Sequence, residues 1–355
     1  MSPKYNKYNK EDLFMGSVKD LYIKKSPTKD KPGQGQFIFS DRYSVFDWGE
    51  MPDHIPHKGE ALCLMTSYFF EKLEDMGIKT HYRGVIENGT SKKLNKLNQP
   101  TNTIEVSLVR VIKPEYKNEK YDYSTYQDKL TNILIPLEII YRNTLPEHSS
   151  FRRRVNNGKI KPEDYGLEEL PPPGNELEDP IYDVSTKLEA SDRYLTWNEA
   201  REIAGLNEKE INEIMKLLEK VNKLITKEVK KADLKNLDGK IELAFDENRN
   251  LMVVDAIGTP DECRFAHNDF TISKEAIRKY YRNTEWHKEV IKAKKTEKPD
   301  WKKLVSSSPE SLPEDILNLI SNLYMFCANK VTGREWYKNI LSIEEIENKL
   351  DKINN

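Results

Sequence analysis

Cysteine is scarce in this chain of 355 residues: there are three, Cys63, Cys263 and Cys327, far apart and odd in number. That excludes a disulfide framework, and their spacing is no zinc-ligand pattern. Long apolar runs are missing as well. No stretch approaches the roughly 20 residues of a membrane-spanning helix, and Met1 to Asn6 lacks the apolar core of a secretory leader. Charge of one sign is also missing. The 57 basic residues stand against 59 acidic ones, a net charge of -2, so no global basic field points to nucleic acid. None of the 6 histidines has metal-ligand spacing. A Gly-x-x-x-x-Gly-Lys-Ser/Thr run, a Gly-x-Gly-x-x-Gly run and a Gly-x-Ser-x-Gly elbow are all absent. Their absence removes the main evidence for a Walker site, a dinucleotide fold or a serine nucleophile. The default is a soluble cytoplasmic protein, built as one large domain or as two that share a cleft.

Against these absences one stretch stands out. Leu251-Met252-Val253-Val254 is a continuous apolar run that ends in Asp255. Such a run reads as a buried strand, with the acid where the strand leaves the core. Lys240 to Leu243 reads as its partner, joined through the polar turn Asp246 to Asn250. The hairpin would present Glu242 and Asp255 on neighbouring strands. Half-buried carboxylates are costly unless paired or metal-bound. Two of them suit magnesium, which is usually held by one or two carboxylates plus substrate phosphates.

Elsewhere, Gly16 marks a tight turn before a strand over Val18 to Ile23, and Ser26 to Gly35 reads as a loop before a short strand at 36–40. Helical periodicity runs from Glu60 to Met76, and Gly77 stops it. Strands are expected from Ile78 to Tyr82, Thr103 to Lys113 and Ile133 to Tyr141, with 114–129 as a surface excursion. Asn156 to Asp183 is too rich in proline and glycine for helix or central strand, so it reads as a long substrate-lining loop. Thr196 and Glu199 form a capping-box pattern, and an amphipathic helix follows from Asn207 to about Val229. Ser273 caps a helix over Lys274 to Tyr281, and Pro309 to Phe326 carries another amphipathic segment. The chain therefore reads as α+β. A mainly antiparallel N-terminal lobe occupies 1–135, a mixed α/β substrate and metal lobe 136–290, and a helical extension 291–355, with a nucleotide cleft between the lobes.

Several clusters suit anionic ligands. Gly16 with Lys19 and Tyr22 could cover phosphates, although an ordinary turn with a solvated lysine has the same look. Asp41, Arg42 and Ser44 follow a strand, and Pro56 to Gly59 opens a helix whose N-terminus could hold an anion; a surface ion pair of Asp41 with Arg42 is the plainer reading. Glu138 lies inside an apolar run, where it could accept from a nucleoside or could be an edge acid facing solvent. Arg142, Ser149, Ser150 and Arg152 to Arg154 make a local basic and hydroxyl cluster. It lacks the interleaved aromatics of a nucleic-acid surface and suits a small anion read by arginine. Ser185 to Glu189, with Lys187, reads as a polar pocket or a capped turn.

In order along the chain, Gly-Ser-Val-Lys-Asp-Leu-Tyr at 16–22, Ser-Asp-Arg-Tyr-Ser-Val-Phe-Asp at 40–47, Ile-Pro-His-Lys-Gly at 55–59, Ile-Pro-Leu-Glu-Ile-Ile-Tyr-Arg-Asn at 135–143, Ser-Thr-Lys-Leu-Glu at 185–189, Asp-Gly-Lys-Ile-Glu-Leu at 238–243 and Val-Val-Asp-Ala-Ile-Gly-Thr-Pro-Asp-Glu-Cys-Arg-Phe at 253–265 resemble the phosphoribosylaminoimidazole-succinocarboxamide synthase (SAICAR synthetase) family. The resemblance implies a kinase-like ATP lobe. It implies transfer of the γ-phosphoryl of ATP to the carboxylate of carboxyaminoimidazole ribonucleotide, then attack by the amine of L-aspartate. It places Gly16, Ser17, Lys19 and Tyr22 on the ATP phosphates and Glu138 on the nucleoside. Glu242 and Asp255 would hold Mg2+. Lys19, Lys187 and Asp255 would be catalytic. Asp41, Arg42 and Ser44, together with Arg142, Ser149, Ser150, Arg264, Lys274 and Arg278, would bind substrate, with Asp261 orienting the arginines. Small anionic substrates are the implied partners, not nucleic acid or membrane, and self-association stays open. The chain departs from the family at Ser17, Ser191 and Ala256, where Lys, His and Glu are usual, and it has His148-Ser149 with an added residue in place of Gly-Ser. A ligase with another carboxylate or amine, or a small-molecule kinase, remains an alternative.

Overall fold

The computed structural model describes residues 12–268, 270–296 and 300–354. The reading of Met1 to Asn6 as no leader lies outside these residues. The first half builds a six-stranded antiparallel sheet from β1 (Leu13–Met15), β2 (Lys19–Lys25), β3 (Gly33–Phe39), β4 (Tyr82–Glu87), β5 (Thr90–Lys92) and β6 (Thr103–Leu108), in the order β1-β2-β3-β6-β4-β5. Helix α1 (Lys58–Asp75) packs on it, burying Leu62, Met65, Phe69 and Leu73 at helical spacing. The strand expected at Ile78 begins only at Tyr82, because the chain first forms a bridge between Thr80 and Val253. The strand from Thr103 is shorter than its alternation suggests and ends at Leu108.

The segment 114–129 is more than an excursion. It folds into the hairpin of β7 (Glu115–Lys117) and β8 (Lys120–Asp122), and Tyr123 and Tyr126 after it are buried in the core. The second sheet holds β9 (Ile133–Thr144). After α2 (Ser150–Asn156) come β10 (Glu176–Thr186) and β11 (Tyr194–Leu195). The expectation that proline keeps this region out of a strand fails for β10. Pro180 sits where pairing with β9 is interrupted between Glu176 and Ile181, and β11 pairs only with Val184 and Ser185. A proline costs little where no ladder bond is asked of it.

Helix α3 (Trp197–Ile203) starts with the expected reciprocal capping box of Thr196 and Glu199, and α4 (Glu208–Lys230) with another of Asn207 and Glu210. The predicted hairpin is β12 (Lys235–Phe245) and β13 (Leu251–Val254), and β14 (Cys263–His267) and β15 (Phe270–Ile272) complete the sheet. Ser273 accepts from the amide of Glu275 at 3.0 Å, but α5 (Glu275–Tyr281) begins one residue later than expected, with Lys274 and not Ser273 at its N-cap. Helices α6 (Glu285–Lys294), α7 (Glu314–Thr332) and α8 (Ile343–Asn354) follow, and α7 lies against α1. All strand-to-strand ladders are antiparallel, so the α+β class holds. One core runs under both sheets, from Phe39 and Phe69 through Ile139 and Phe265 to Tyr324. No helix among the described residues is long and apolar enough to cross a membrane.

Candidate active site

The register of the second sheet sets three acids side by side. Glu138 on β9 stands opposite Glu242 on β12, which stands opposite Val254. Asp255 is one step beyond. Like charges on adjacent strands repel, and the chain answers with lysines. Lys187 Nζ is 2.6 Å from Glu242 Oε1 and 3.1 Å from Glu138 Oε1. Lys240 Nζ is 2.6 Å from Glu138. Lys19 pairs with Asp255. Burial raises Asp255, but Lys19 and then Lys187 outweigh it and hold the carboxyl below its usual range. At Glu242 the balance tips the other way: burial first, then the charge of Asp255, push it up to about 7. Asp255 also has φ 71, in the left-handed region where non-glycine residues are rare. Strain of this kind gathers at functional positions.

The rim above Asp255 is the Gly16 turn. Its amide donates to the Lys19 carbonyl at 3.1 Å, and a Cβ on Gly16 would come within 2.4 Å of that same oxygen. Arg42 donates to the Gly16 carbonyl at 2.9 Å and pairs with Asp20, while Ser40 Oγ donates to the Val18 carbonyl at 2.7 Å. Arg42 thus braces the turn from beneath. Lys19 is partly exposed, with its ammonium 4.9 Å from the Phe37 ring centre. Ser17 is exposed and Tyr22 half-buried on β2. Asp41 is turned to the Gly59 amide at 2.9 Å and tethers the start of α1; it forms no ion pair with Arg42. Ser44 accepts from the Gly49 amide at 3.3 Å.

The basic cluster divides into an inner and an outer set. Arg142 is 2% exposed and lies inside. It donates to Asp183 at 3.0 Å and to Ser150 Oγ at 3.1 Å, with Asp238 at 3.6 Å. Arg154 shares Asp183 and stacks 4.1 Å from the Tyr194 ring centre. Ser149 caps α2, accepting from the Arg152 amide at 3.3 Å. The outer set is Arg264, Arg278 and Arg282. Asp238 orients Arg264 through Nε at 2.8 Å. Burial, then the neighbouring Arg264, lower both Arg278 and Arg282. Glu275 pairs with both of them, at 3.5 Å from Arg278.

Asp261 does not orient Arg264, contrary to expectation. Its Oδ2 lies 2.9 Å from Lys58 Nζ and 3.2 Å from Lys274 Nζ, and its Oδ1 accepts from the Tyr324 hydroxyl at 2.5 Å. Asp238, Asp183, Lys58, Lys240, Arg282 and Tyr324 are parts of the arrangement that spacing alone gives no reason to single out. Lys58, inside the Pro56 to Gly59 motif, and Asp238 and Lys240, inside the run at 238–243, do carry a sequence signal.

Ion pairs extend the lysine network: Lys187 spans Glu242 and Glu138, and Lys240 spans Glu138 at 2.6 Å and Glu262 at 3.5 Å. A cavity of about 810 Å³ lies elsewhere, between α7, α8 and His267, and none of these residues lines it.

A model of the SAICAR synthetase family matches residues 12–294. The chain belongs to the SAICAR synthetase family. It is 34% identical over 331 residues to the phosphoribosylaminoimidazole-succinocarboxamide synthase of Thermoplasma volcanium, covering 91% of this chain and 99% of the relative. It is 53% identical over 323 residues to an Archaeoglobus fulgidus protein that carries a provisional form of the same name, covering 91% and 95%. The fold is that of the SAICAR synthase of Saccharomyces cerevisiae, solved with SAICAR, at a TM-score of 0.62 and 21% identity, covering 91% and 95%. A SAICAR synthetase solved with ADP matches at a TM-score of 0.54 and 22% identity, covering 84% and 100%.

Proposed function

We propose that this chain is an ATP-dependent ligase that condenses carboxyaminoimidazole ribonucleotide with L-aspartate, by way of an acyl phosphate, to give SAICAR, ADP and phosphate in the cytoplasm. The observation that carries the reading is the register that sets Glu138, Glu242 and Asp255 side by side among Lys19, Lys187 and Lys240, in a member of this family. Residues 1–135 would form the nucleotide lobe, 136–290 the substrate and metal lobe, and 291–355 a helical extension.

The chemistry follows from charge. A substrate carboxylate oxygen bonds to the γ-phosphorus of ATP while the bond to ADP breaks. The aspartate amine then bonds to the acyl carbon, phosphate leaves, and the amine gives up its proton. Anion attacking anion is slow unless the phosphoryl charge is offset. Lys19 at the rim and Lys187 on the floor supply that offset, and the Gly16 turn brings backbone close to the phosphates. Lys187 and Lys240 hold Glu138, so we assign it to ordering these lysines beside the nucleotide. Arg264, Arg278 and Lys274 take the phosphate and carboxylates of the ribonucleotide. Arg142, with Ser150, sits behind them and fixes the wall. Asp41, Arg42 and Ser44 act by shaping the rim.

The donor set fits Mg2+. Glu242 and Asp255 are two crowded carboxylates, Glu242 pushed up by burial and then by the charge of Asp255, and among the described residues no set of three or more acids, histidines or cysteines forms a protein-only cage. That suits an ion bound by two carboxylates plus nucleotide phosphates. Held there, Mg2+ would neutralise phosphate charge. Ala256, buried and uncharged beside Asp255, favours a second reading, a related ligase that takes another amine or carboxylate.

ADP release with the carboxylated ribonucleotide, measured with and without aspartate, tests the proposal. Amide product that needs both substrates is expected. Turnover without any amine would make the chain a kinase, and amide formed with another amine but not with aspartate would select the second reading.

A further inference from the structure

The helix that follows the matched segment reaches into the substrate wall. The family match ends at residue 294, yet α7 lies along α1 and is fixed there at three points. Ser321 Oγ donates to the Pro56 carbonyl at 2.7 Å. The Leu312 amide, just before the helix, donates to Asp53 at 2.6 Å. Tyr324 donates to Asp261 at 2.5 Å. The third differs in kind, because Asp261 belongs to the site.

Asp261 is surrounded by three partners. Lys58 is fully buried and cannot reach a ligand. Tyr324 is 1% exposed. Lys274 alone has solvent access, with a side chain 16% exposed. Lys58 and Lys274 both lie on Oδ2, and the Tyr324 hydroxyl takes Oδ1. A carboxylate held at one oxygen can rotate about its Cβ–Cγ bond, but one held at both cannot. The Tyr324 ring also lies 5.6 Å from the Lys58 ammonium, which keeps that buried cation in place.

We propose that Tyr324 is a positioning residue of the substrate site. Its hydroxyl locks the Asp261 carboxylate, which in turn aims Lys274 at an anionic group of the ribonucleotide, so the site is incomplete without the C-terminal helices. The assignment of Lys274 to substrate rests on the function proposed above.

Tyr324→Phe keeps the ring and its packing and deletes only the hydroxyl. Ser321→Ala serves as a control, since it removes a docking bond of the same helix without touching Asp261. In the full chain, the rate at which acetic anhydride labels Lys274, read by peptide mass spectrometry, is expected to rise at least about threefold in Tyr324→Phe and to stay at the wild-type rate in Ser321→Ala. In the ligation assay, Tyr324→Phe is expected to raise KM for the ribonucleotide roughly five- to tenfold, the loss of a bond to a charged group, with KM for ATP and kcat within about twofold. Unchanged labelling of Lys274 in Tyr324→Phe would overturn the proposal. So would equal changes in both variants, which mark a purely structural helix. The labelling arm needs no substrate and decides the inference even if the wild-type chain forms no amide, an outcome that would remove the functional reading alone.

Discussion

Lys19 and Asp255 stand 236 residues apart in the chain and form an ion pair that joins the two sheets. One comes from the rim turn of the first sheet, the other from the end of the central hairpin of the second. The proposed function assigns the lysine to nucleotide phosphate and the aspartate to metal. Asp255→Asn tests this, because asparagine tolerates the left-handed backbone at that position and only the charge is lost. The expected result is a fall in kcat of at least about a hundredfold, some 2.7 kcal/mol of barrier, with the thermal midpoint nearly unchanged. Full ligation by this variant would remove Asp255 from the metal role.

Glu242 gives a prediction about metal. Chelation by EDTA should abolish turnover and Mg2+ should restore it. In Glu242→Gln the Mg2+ concentration for half-maximal rate should rise at least about tenfold, the scale expected when one of two carboxylate ligands goes. An unchanged Mg2+ titration would place the ion elsewhere.

Gly16→Ala probes the rim. A Cβ there would meet the Lys19 carbonyl at 2.4 Å, so the turn must open and carry Lys19 with it. KM for ATP should rise about tenfold or more while KM for the ribonucleotide stays put. Equal effects on both would mean that the turn serves the fold and not the nucleotide.

The inner arginine set is a matter of stability. Asp183 serves both Arg142 and Arg154, and all three are buried. Asp183→Asn leaves two buried cations short of an anion. Breaking a buried pair in this way costs about 3–5 kcal/mol, so denaturant melts should show a large loss. A change below about 1 kcal/mol would mean that solvent reaches the cluster.

His81 sets the acid limb of stability. Burial pushes its imidazole down to about 4 from an ordinary 6.5. The folded protein therefore holds the ring neutral while the unfolded chain protonates it. The stability this gives is complete above pH 6.5 and is lost as pH falls from 6.5 towards 4. Phe37 and Phe70 each meet the ring edge-on at 5.3 Å, so His81→Phe should keep the packing and flatten the fall in thermal midpoint over that window. A parallel fall in both proteins would assign the acid limb to other groups.

Local pattern carried the elements that one stretch of chain decides. The capping box at Thr196, the long helix after Asn207 and the hairpin that ends at Asp255 could all be read from periodicity and cap chemistry. Strand β10 could not, because what spares Pro180 is the pause in its pairing with β9, a fact about a strand far back in the chain. The site was legible by residue type but not by partner. Glu242 and Asp255 do meet near Lys187, whereas Arg42 and Asp41 brace the rim and helix start, and Asp261 faces lysines where arginines were expected. Each of these outcomes turns on which strands become neighbours, and no spacing encodes that.

The backbone bonds between Lys79, His81 and Val253, at 3.0 and 3.1 Å, have a practical consequence. They graft the hairpin strand of the second sheet onto the chain just ahead of β4 in the first. Cutting the gene near residue 135 would therefore not yield two free-standing modules. Each product would carry a raw strand edge and half of a shared core, the signature of fragments that aggregate when expressed alone and that recover, if at all, by finding each other.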